Sequence, residues 1–479
     1  MESKINRRDF LQVTAAGSAA YLAGPKILTL AANPRGSRLI SPGCRRSKVK
    51  VAKIYMGIPQ SLYPNPKLDL KEEIRIYKSE FAKLKDELGD VEFVVDELIS
   101  SVDQLARLKD RLKEVDGILA IHLTLGIMPI LNEILSLQRP TMVFSAPYSG
   151  HEWHTLSAIY KQEQGQNFEC LFTSDYKQLA AAIRPFRAIH HLREAKVLNL
   201  TTTSFAGYAQ DIKDKFGTEI KKVELRRMLD AYNSVGDKQA EAEADRWVKG
   251  ALEVVEPSRE EIVKSCRLAL AFEKLMDEED ATVMTVDCYG SMHGPLCRSY
   301  AYPCIGFSRL NNIGLGGICQ SDLPCAMTHI LFQGLAGRPG FVCNPGFDFS
   351  TNSAVLIHCL GTTKMDGPGG PAAPYKLRSI MERREGAVPQ VEMRIGQKVT
   401  QAVLVGTDNL LYFTGDITET PETNRGCRTK IIVKVDGSAE RLWKSWSAGI
   451  HRVTCYGDIT KELEHFCRFK GIRMTNKAV

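Results

Sequence analysis

Beyond the first thirty residues, the chain lacks any apolar run approaching the roughly 18 uncharged residues of a spanning helix, so no transmembrane segment is expected there. It also lacks a cysteine framework. The 13 cysteines are scattered, and no CxxC pair stands at zinc-finger spacing. Their odd number leaves at least one outside any set of disulfides, of which one or two remain open. No internal repeat is visible. Nor is there a basic surface for nucleic acid. The formal charge is +7, but the first fifty residues hold ten Lys or Arg against Glu2 and Asp9, so the other 429 come to −1.

With 44% hydrophobic and 25% charged residues, the composition is that of a folded globular protein, and 479 residues exceed one compact core. The leader is the most specific local signal. Asn6-Arg7-Arg8-Asp9-Phe10-Leu11 is a twin-arginine motif, followed by a mildly apolar, Ala/Gly-rich run from Val13 to Leu30. This pattern predicts export by the twin-arginine route to the periplasm or the exterior, with cleavage near Ala31 or Ala32. Residues 1–35 are read as signal and linker.

From Val49 onward, β-like runs alternate with helix-periodic segments: Val49–Met56, Val91–Val95, Gly117–His122 and Thr141–Ser145 as strands, with helices between them. The alternation restarts at Ala195–Leu200, after a helix expected over Ser174–Leu192. Residues 47–190 and 191–355 thus read as two doubly wound α/β domains. Past Ala354 the segments shorten and Gly and Asp turns separate them, which predicts an antiparallel, barrel-like β domain over 356–479, closed by a helix at Thr460–Lys470. Gly361–Pro374 is rich in Gly and Pro and reads as a surface linker or a loop over a site. Gly314-Leu-Gly-Gly317 lacks the third glycine of a dinucleotide fingerprint.

Chemistry-bearing residues concentrate between Gly316 and Cys359: Gln320, Asp322, His329, Asn344, Asp348 and His358. A second cluster, Gly449–Asp458, holds His451. Asp322, beside Ser321 and Pro324, fits a helix cap as well as a catalytic carboxylate. Asp348 lies in a turn-rich run and fits a turn-closing role as well. His358, on an apolar strand, reads as a core histidine or a ligand. His329 at mid-helix reads as core, and His190-His191 as complements to a helix dipole. Asp287 and His293 follow a buried strand, where α/β folds collect ligands, and are candidate substrate contacts. Trp446 is a candidate sugar-stacking residue, with packing as the alternative.

Gln320 precedes Asp322 by two residues at a helix start, Asn344 lies 24 residues past Gln320, and Trp446-Ser-Ala-Gly-Ile-His451 follows near the end. In these stretches the chain resembles the L-fucose and L-arabinose isomerase superfamily, which has two α/β domains and a barrel-like third. Its members interconvert aldoses and ketoses at a divalent metal, usually manganese, and form homo-oligomers whose sites draw on neighbouring subunits. The resemblance implies metal ligands at Gln320, Asn344 and His451, with His358 as a further one. It departs from the family in one respect: both metal carboxylates appear here as amides. An amide carries no charge and cannot act as a base, so Asp322 and Asp348 become the expected acid/base residues. The expected function is an exported sugar isomerase at a Mn²⁺ site. The alternative is a non-catalytic sugar-binding or sensor protein on the same fold.

Overall fold

The structure, a computed structural model, describes residues 47–447 and 449–479. The twin-arginine leader lies outside the described residues. The fold is mixed α/β, with two parallel sheets followed by a closed antiparallel region.

The first sheet comprises β1 (Val49–Met56), β2 (Val91–Ile99), β3 (Gly117–His122), β4 (Thr141–Ser145) and β5 (Phe168–Phe172), in the order β2-β1-β3-β4-β5, all parallel. Its inner strands are largely apolar on both faces because both are covered. Ala52, Ile54 and Met56 pack into one core, and Val49, Val51 and Tyr55 into another. The second sheet takes β6 (Lys196–Leu200), β7 (Glu219–Lys222), β9 (Val283–Val286) and β10 (Gly316–Cys319), in the order β10-β9-β6-β7 and again parallel. It too separates two cores, with Val197, Val283 and Ile318 on one side and Leu198, Leu200 and Met284 on the other. The short β8 (Glu253–Val254) lies outside it and pairs with a later strand.

The closed region is built from β11 (Phe341–Asp348), β12 (Ser353–His358), β15 (Lys398–Val405), β16 (Asn409–Glu419), β17 (Thr429–Val435) and β18 (Arg452–Tyr456). They run β15-β18-β11-β12-β17-β16, and β16 returns to β15, so six antiparallel strands close on themselves. β19 (Arg473–Asn476) adds to β16 in parallel, while β13 (Tyr375–Arg378) pairs with both β14 (Val388–Val391) and β8 in a separate three-stranded sheet. All of β11 and the first half of β12 precede residue 356, yet they run in the closed sheet rather than in the second parallel sheet.

Other differences from the expected elements have local causes. The helix expected over 174–192 is interrupted: short Gln178–Ala181 gives way to Arg184–Glu194, whose Pro185 occupies a first-turn position where its missing N–H costs nothing. His190 is not a dipole complement but a buried partner of Asp116, its Nδ1 2.8 Å from Oδ2. Gly361–Pro374 is packed rather than loose, with the N–H groups of Thr363 and Lys364 both donating to Asn312 Oδ1. Gly316 and Gly317 lie inside β10, where a Cβ on Gly317 would strike the Phe307 backbone, so they serve close packing and not a phosphate loop.

Two tethers position the parts. The terminal helix Thr460–Lys470 returns to the first sheet, where Arg468 Nε donates to the carbonyl of Phe168 at 3.0 Å and Glu462 pairs with Arg184 at 2.7 Å. The helix Leu323–Ala336 leaves β10, ends at the left-handed Gly337 and enters β11. At Gly340 a Cβ would lie 2.0 Å from Val453 Cγ1, so only glycine lets β11 approach β18 this closely. That approach carries the residues before β18 to the end of β10.

Candidate functional site

The site begins at the turn after β10. Gln320 and Ser321 both take left-handed backbone conformations, with φ of 58° and 51°. Non-glycine residues adopt this region at a cost, and a consecutive pair is held here by its surroundings. The Ser321 hydroxyl donates to Asn199 Oδ1 on β6 at 2.7 Å, and the Ser321 N–H donates to the Val286 carbonyl at the end of β9 at 3.2 Å. The turn is thus fastened to two neighbouring strands, and it delivers Asp322 as the cap of the next helix.

Asp322 does two jobs with its two oxygens. Oδ1 accepts the Cys325 N–H at 3.0 Å, capping the helix, and Oδ2 faces His451 Nδ1 at 3.0 Å. Burial pushes the Asp322 carboxyl up, but the hydrogen bonds from His451 and Cys325 prevail and hold it below the usual carboxylate range. An ionised Asp322 makes His451 Nδ1 the donor. With the proton on Nδ1, the neutral tautomer of this ring is the one whose lone pair lies at Nε2. That Nε2 is buried and has no hydrogen-bond partner.

His358 lies beside it, the two ring centroids 5.3 Å apart. It is the last residue of β12, where the chain turns so that the N–H groups of Cys359 and Leu360 point back at Nδ1, at 2.8 and 3.3 Å. Nδ1 is therefore an acceptor, and the neutral ring carries its proton on Nε2. Burial, followed by the neighbouring His451, lowers the His358 pKa to about 3, so the ring is neutral near pH 7. Its Nε2 is likewise buried without a partner. Side by side, the two rings offer one acceptor and one donor, neither bonded to the other.

Asn344 belongs to the same neighbourhood by register. Asn344 is one residue past the last pair of β11 and β18, Cys343 with Arg452, and it pairs on its other side with Ile357, the residue before His358. Gln320, Asp322 and Asn344 are half-buried, whereas His451 and His358 are 2% and 4% exposed. Two residues that spacing did not flag also surround the pair. Tyr208, from the helix Ala206–Phe216, has a buried hydroxyl without a partner, and its pKa is raised by burial and then by nearby Asp322. Arg452 is buried, bonds the His451 carbonyl at 3.1 Å and stacks over Trp446 at 4.1 Å. Only their position next to Asp322 and His451 in space marks them.

The remaining candidates are engaged in contacts of their own. Asp348 is exposed at the β11–β12 turn, four residues or about 13 Å along the strand from Asn344. Its Oδ1 accepts from the Ser350 N–H and hydroxyl at 2.9 and 2.6 Å, which is the turn-closing role; it does not line the site as expected. Asp287 Oδ2 accepts from Thr201 Oγ1, Ser291 N and Ser291 Oγ at 3.1, 2.9 and 2.7 Å, bracing the loop after β9 against β6. His293 stands between Tyr289 and Tyr302, at ring-centroid distances of 6.4 and 6.5 Å. Trp446 is half-buried, packs in a T-shaped pair with Phe347 at 5.9 Å and has Arg452 over its ring. His329 is a core residue with both nitrogens bonded, to the Leu315 carbonyl and the Gly340 N–H.

The donor set does not fit the expected manganese site. His451 Nε2 is a good ligand atom, oriented by a carboxylate as metal-bound histidines are. His358 is not, because with Nδ1 accepting two N–H bonds the neutral ring has no lone pair left at Nε2. Gln320 and Asn344 bring no charge, and hard divalent cations favour charged oxygen. Among the described residues, the one group of three His, Cys, Asp or Glu side chains with ligand atoms within 4.8 Å of one another is Cys359, Glu382 and Cys427. Asp322, His358 and His451 do not form such a group.

No protein-family model matches the chain, and no curated protein matches it.

Proposed function

We propose that this chain is a sugar isomerase-like enzyme that interconverts an aldose and a ketose by proton transfer between adjacent carbons. The observation that carries the reading is the pair of buried, unpartnered Nε2 atoms on His451 and His358. An unsatisfied buried polar group costs roughly 1–3 kcal/mol, so two together imply a polar ligand between or beside them. The pair is complementary to an α-hydroxy carbonyl. His451 Nε2, its ring held by Asp322, takes the proton from the carbon next to the carbonyl, and Asp322 stabilises the imidazolium that forms. The neutral His358 donates its Nε2–H to the carbonyl oxygen, where negative charge develops. His451 then returns the proton to the neighbouring carbon, while His358 gives its Nε2 proton to the former carbonyl oxygen and takes in exchange the proton of the adjacent hydroxyl, which becomes the new carbonyl. Gln320, Asn344 and Tyr208 supply polar contacts to the remaining hydroxyls from the half-buried side. No step runs through a metal, since the residues present do not suit Mn²⁺.

Around this centre we read two doubly wound α/β domains and a barrel domain. Twin-arginine export and assembly into a homo-oligomer complete the proposal. No helix among the described residues is long and apolar enough to cross a membrane.

A screen of free aldoses and ketoses, with chelator present, tests the reading. At least one pair should interconvert, and His451→Gln should abolish it. Saturable binding of a sugar with no conversion of any would favour the binding-protein alternative, which the loss of both family carboxylates supports.

A further inference from the structure

One step past His358 the chain enters a second polar cluster that the histidine pair does not use. Cys359 follows β12, Cys427 immediately precedes the Arg428-Thr429 entry to β17, and Glu382 lies in the loop between β13 and β14. These positions are 23 and 45 residues apart in sequence, so no spacing motif announces them. The ladder between β12 and β17 pairs His358 with Thr429, which sets Cys359 beside Arg428. The Glu382 loop is folded back by its own bonds, Ile380 N–H to Glu385 O at 3.0 Å and Arg384 N–H to Ile380 O at 2.7 Å. It is tied to the β17 side by Arg428 Nε, which donates to the Ser379 carbonyl at 2.7 Å.

The result is two sulfurs and a carboxylate oxygen mutually within 4.8 Å. Cys427 Sγ is 3.5 Å from Glu382 Oε1. Tetrahedral zinc, with Zn–S about 2.3 Å and Zn–O about 2.0–2.2 Å, requires ligand atoms about 3.5–3.8 Å apart. The Cys427–Glu382 edge already has that length, and the other two need to close by about 1 Å at most. Cys359 is buried at 4% exposure, while Cys427 is half-buried and Glu382 exposed, so one wall is fixed and the other two ligands can adjust and admit an ion. The twelve described cysteines are all free thiols.

We propose that Cys359, Cys427 and Glu382 form a binding site for one borderline-soft divalent cation, with zinc the best match. Two thiolates and one carboxylate would hold it, and water would take the fourth position. This donor set selects against manganese, which prefers all-oxygen ligands, and it makes no use of His451. Binding releases the two thiol protons to solvent, so the ion with its two thiolates and one carboxylate is held as a singly negative group beside Arg428.

The test uses the full-length protein as purified, loaded with zinc under reducing conditions and then dialysed. One zinc per chain is expected, and Co²⁺ in its place should give thiolate-to-cobalt charge-transfer absorption. Cys359→Ser and Cys427→Ser should each weaken binding at least a hundredfold, and Glu382→Gln by a smaller factor. The half-buried Cys427 serves as the decisive position if the Cys359 variant fails to fold. His451→Ala should leave zinc stoichiometry unchanged, which separates this site from the isomerase reading. Substoichiometric zinc in the unsubstituted protein, or binding indifferent to Cys427→Ser, would overturn the proposal. So would a Cys359–Cys427 disulfide in peptide maps of the unreduced protein.

Discussion

Asp322 Oδ2 takes the Nδ1–H of His451 at 3.0 Å across 129 positions of sequence, joining the end of a parallel strand to the edge of the closed antiparallel sheet. The contact sets both the tautomer of His451 and the direction of its free nitrogen. In the proposed reaction it makes Asp322 a positioning residue, which acts on substrate only through the imidazole.

Asp322→Asn separates capping from chemistry. Asparagine caps a helix about as well as aspartate, so stability should change by less than about 1 kcal/mol. Its amide, however, leaves the imidazole without a fixed acceptor at Nδ1 and lets the proton move to Nε2. Turnover should fall roughly 10²- to 10⁴-fold while sugar affinity stays within a fewfold. Thermal unfolding together with steady-state kinetics checks both halves. Loss of fold without a selective loss of turnover would contradict the assignment.

His358 is assigned to the oxygen side of the reaction. Replacing it with Phe keeps an aromatic ring but removes the donor. We predict a fall in turnover of about 10²–10³, the size typical of losing one oxyanion donor. The effect should appear in kcat more than in KM. Equal loss in both would assign His358 to ground-state binding instead.

Acid should destabilise the fold steeply. Burial lowers the pKa of His191 and His358 to about 3, and of His329 to about 4. In the unfolded chain each titrates near 6.5, so between about pH 6.5 and 4 the unfolded state binds more protons and stability falls with pH. Each group contributes up to about 1.4 kcal/mol per pH unit over that window. Urea midpoints at pH 7 and pH 5 measure it, and a pH-independent midpoint would show that these rings are not buried neutral.

Export rests on the leader alone. Changing Arg7 and Arg8 to Lys should retain the unprocessed protein in the cytoplasm. Normal appearance of that variant outside the cytoplasm would contradict the twin-arginine assignment.

Much of the fold was legible because parallel strands buried on both faces read as largely apolar runs, as in β3 and, Lys50 and Lys53 aside, β1, whose lengths match the sequence reading. The closed sheet was less so. β11 follows a helix in the manner of another βα unit, and only its antiparallel hairpin with β12 and its pairing with β18, a contact over long sequence separation, move it into the barrel. The site was legible at Asp322 and His451 through residue type and position. Asp348 misled because a turn-closing aspartate and a catalytic one have the same local sequence. The tautomer of His358 depends on two backbone N–H groups, which no side-chain pattern encodes, and Tyr208 joins from a helix more than a hundred residues before Asp322.

The most direct test of the proton-transfer account is deuterium incorporation at the carbon next to the carbonyl, followed by NMR. The converted sugar is incubated with the enzyme in D₂O and excess chelator. The unsubstituted protein should exchange that hydrogen with solvent, and His451→Gln should not. Exchange that persists in His451→Gln, or that the chelator abolishes in the unsubstituted protein, would contradict a metal-independent imidazole base.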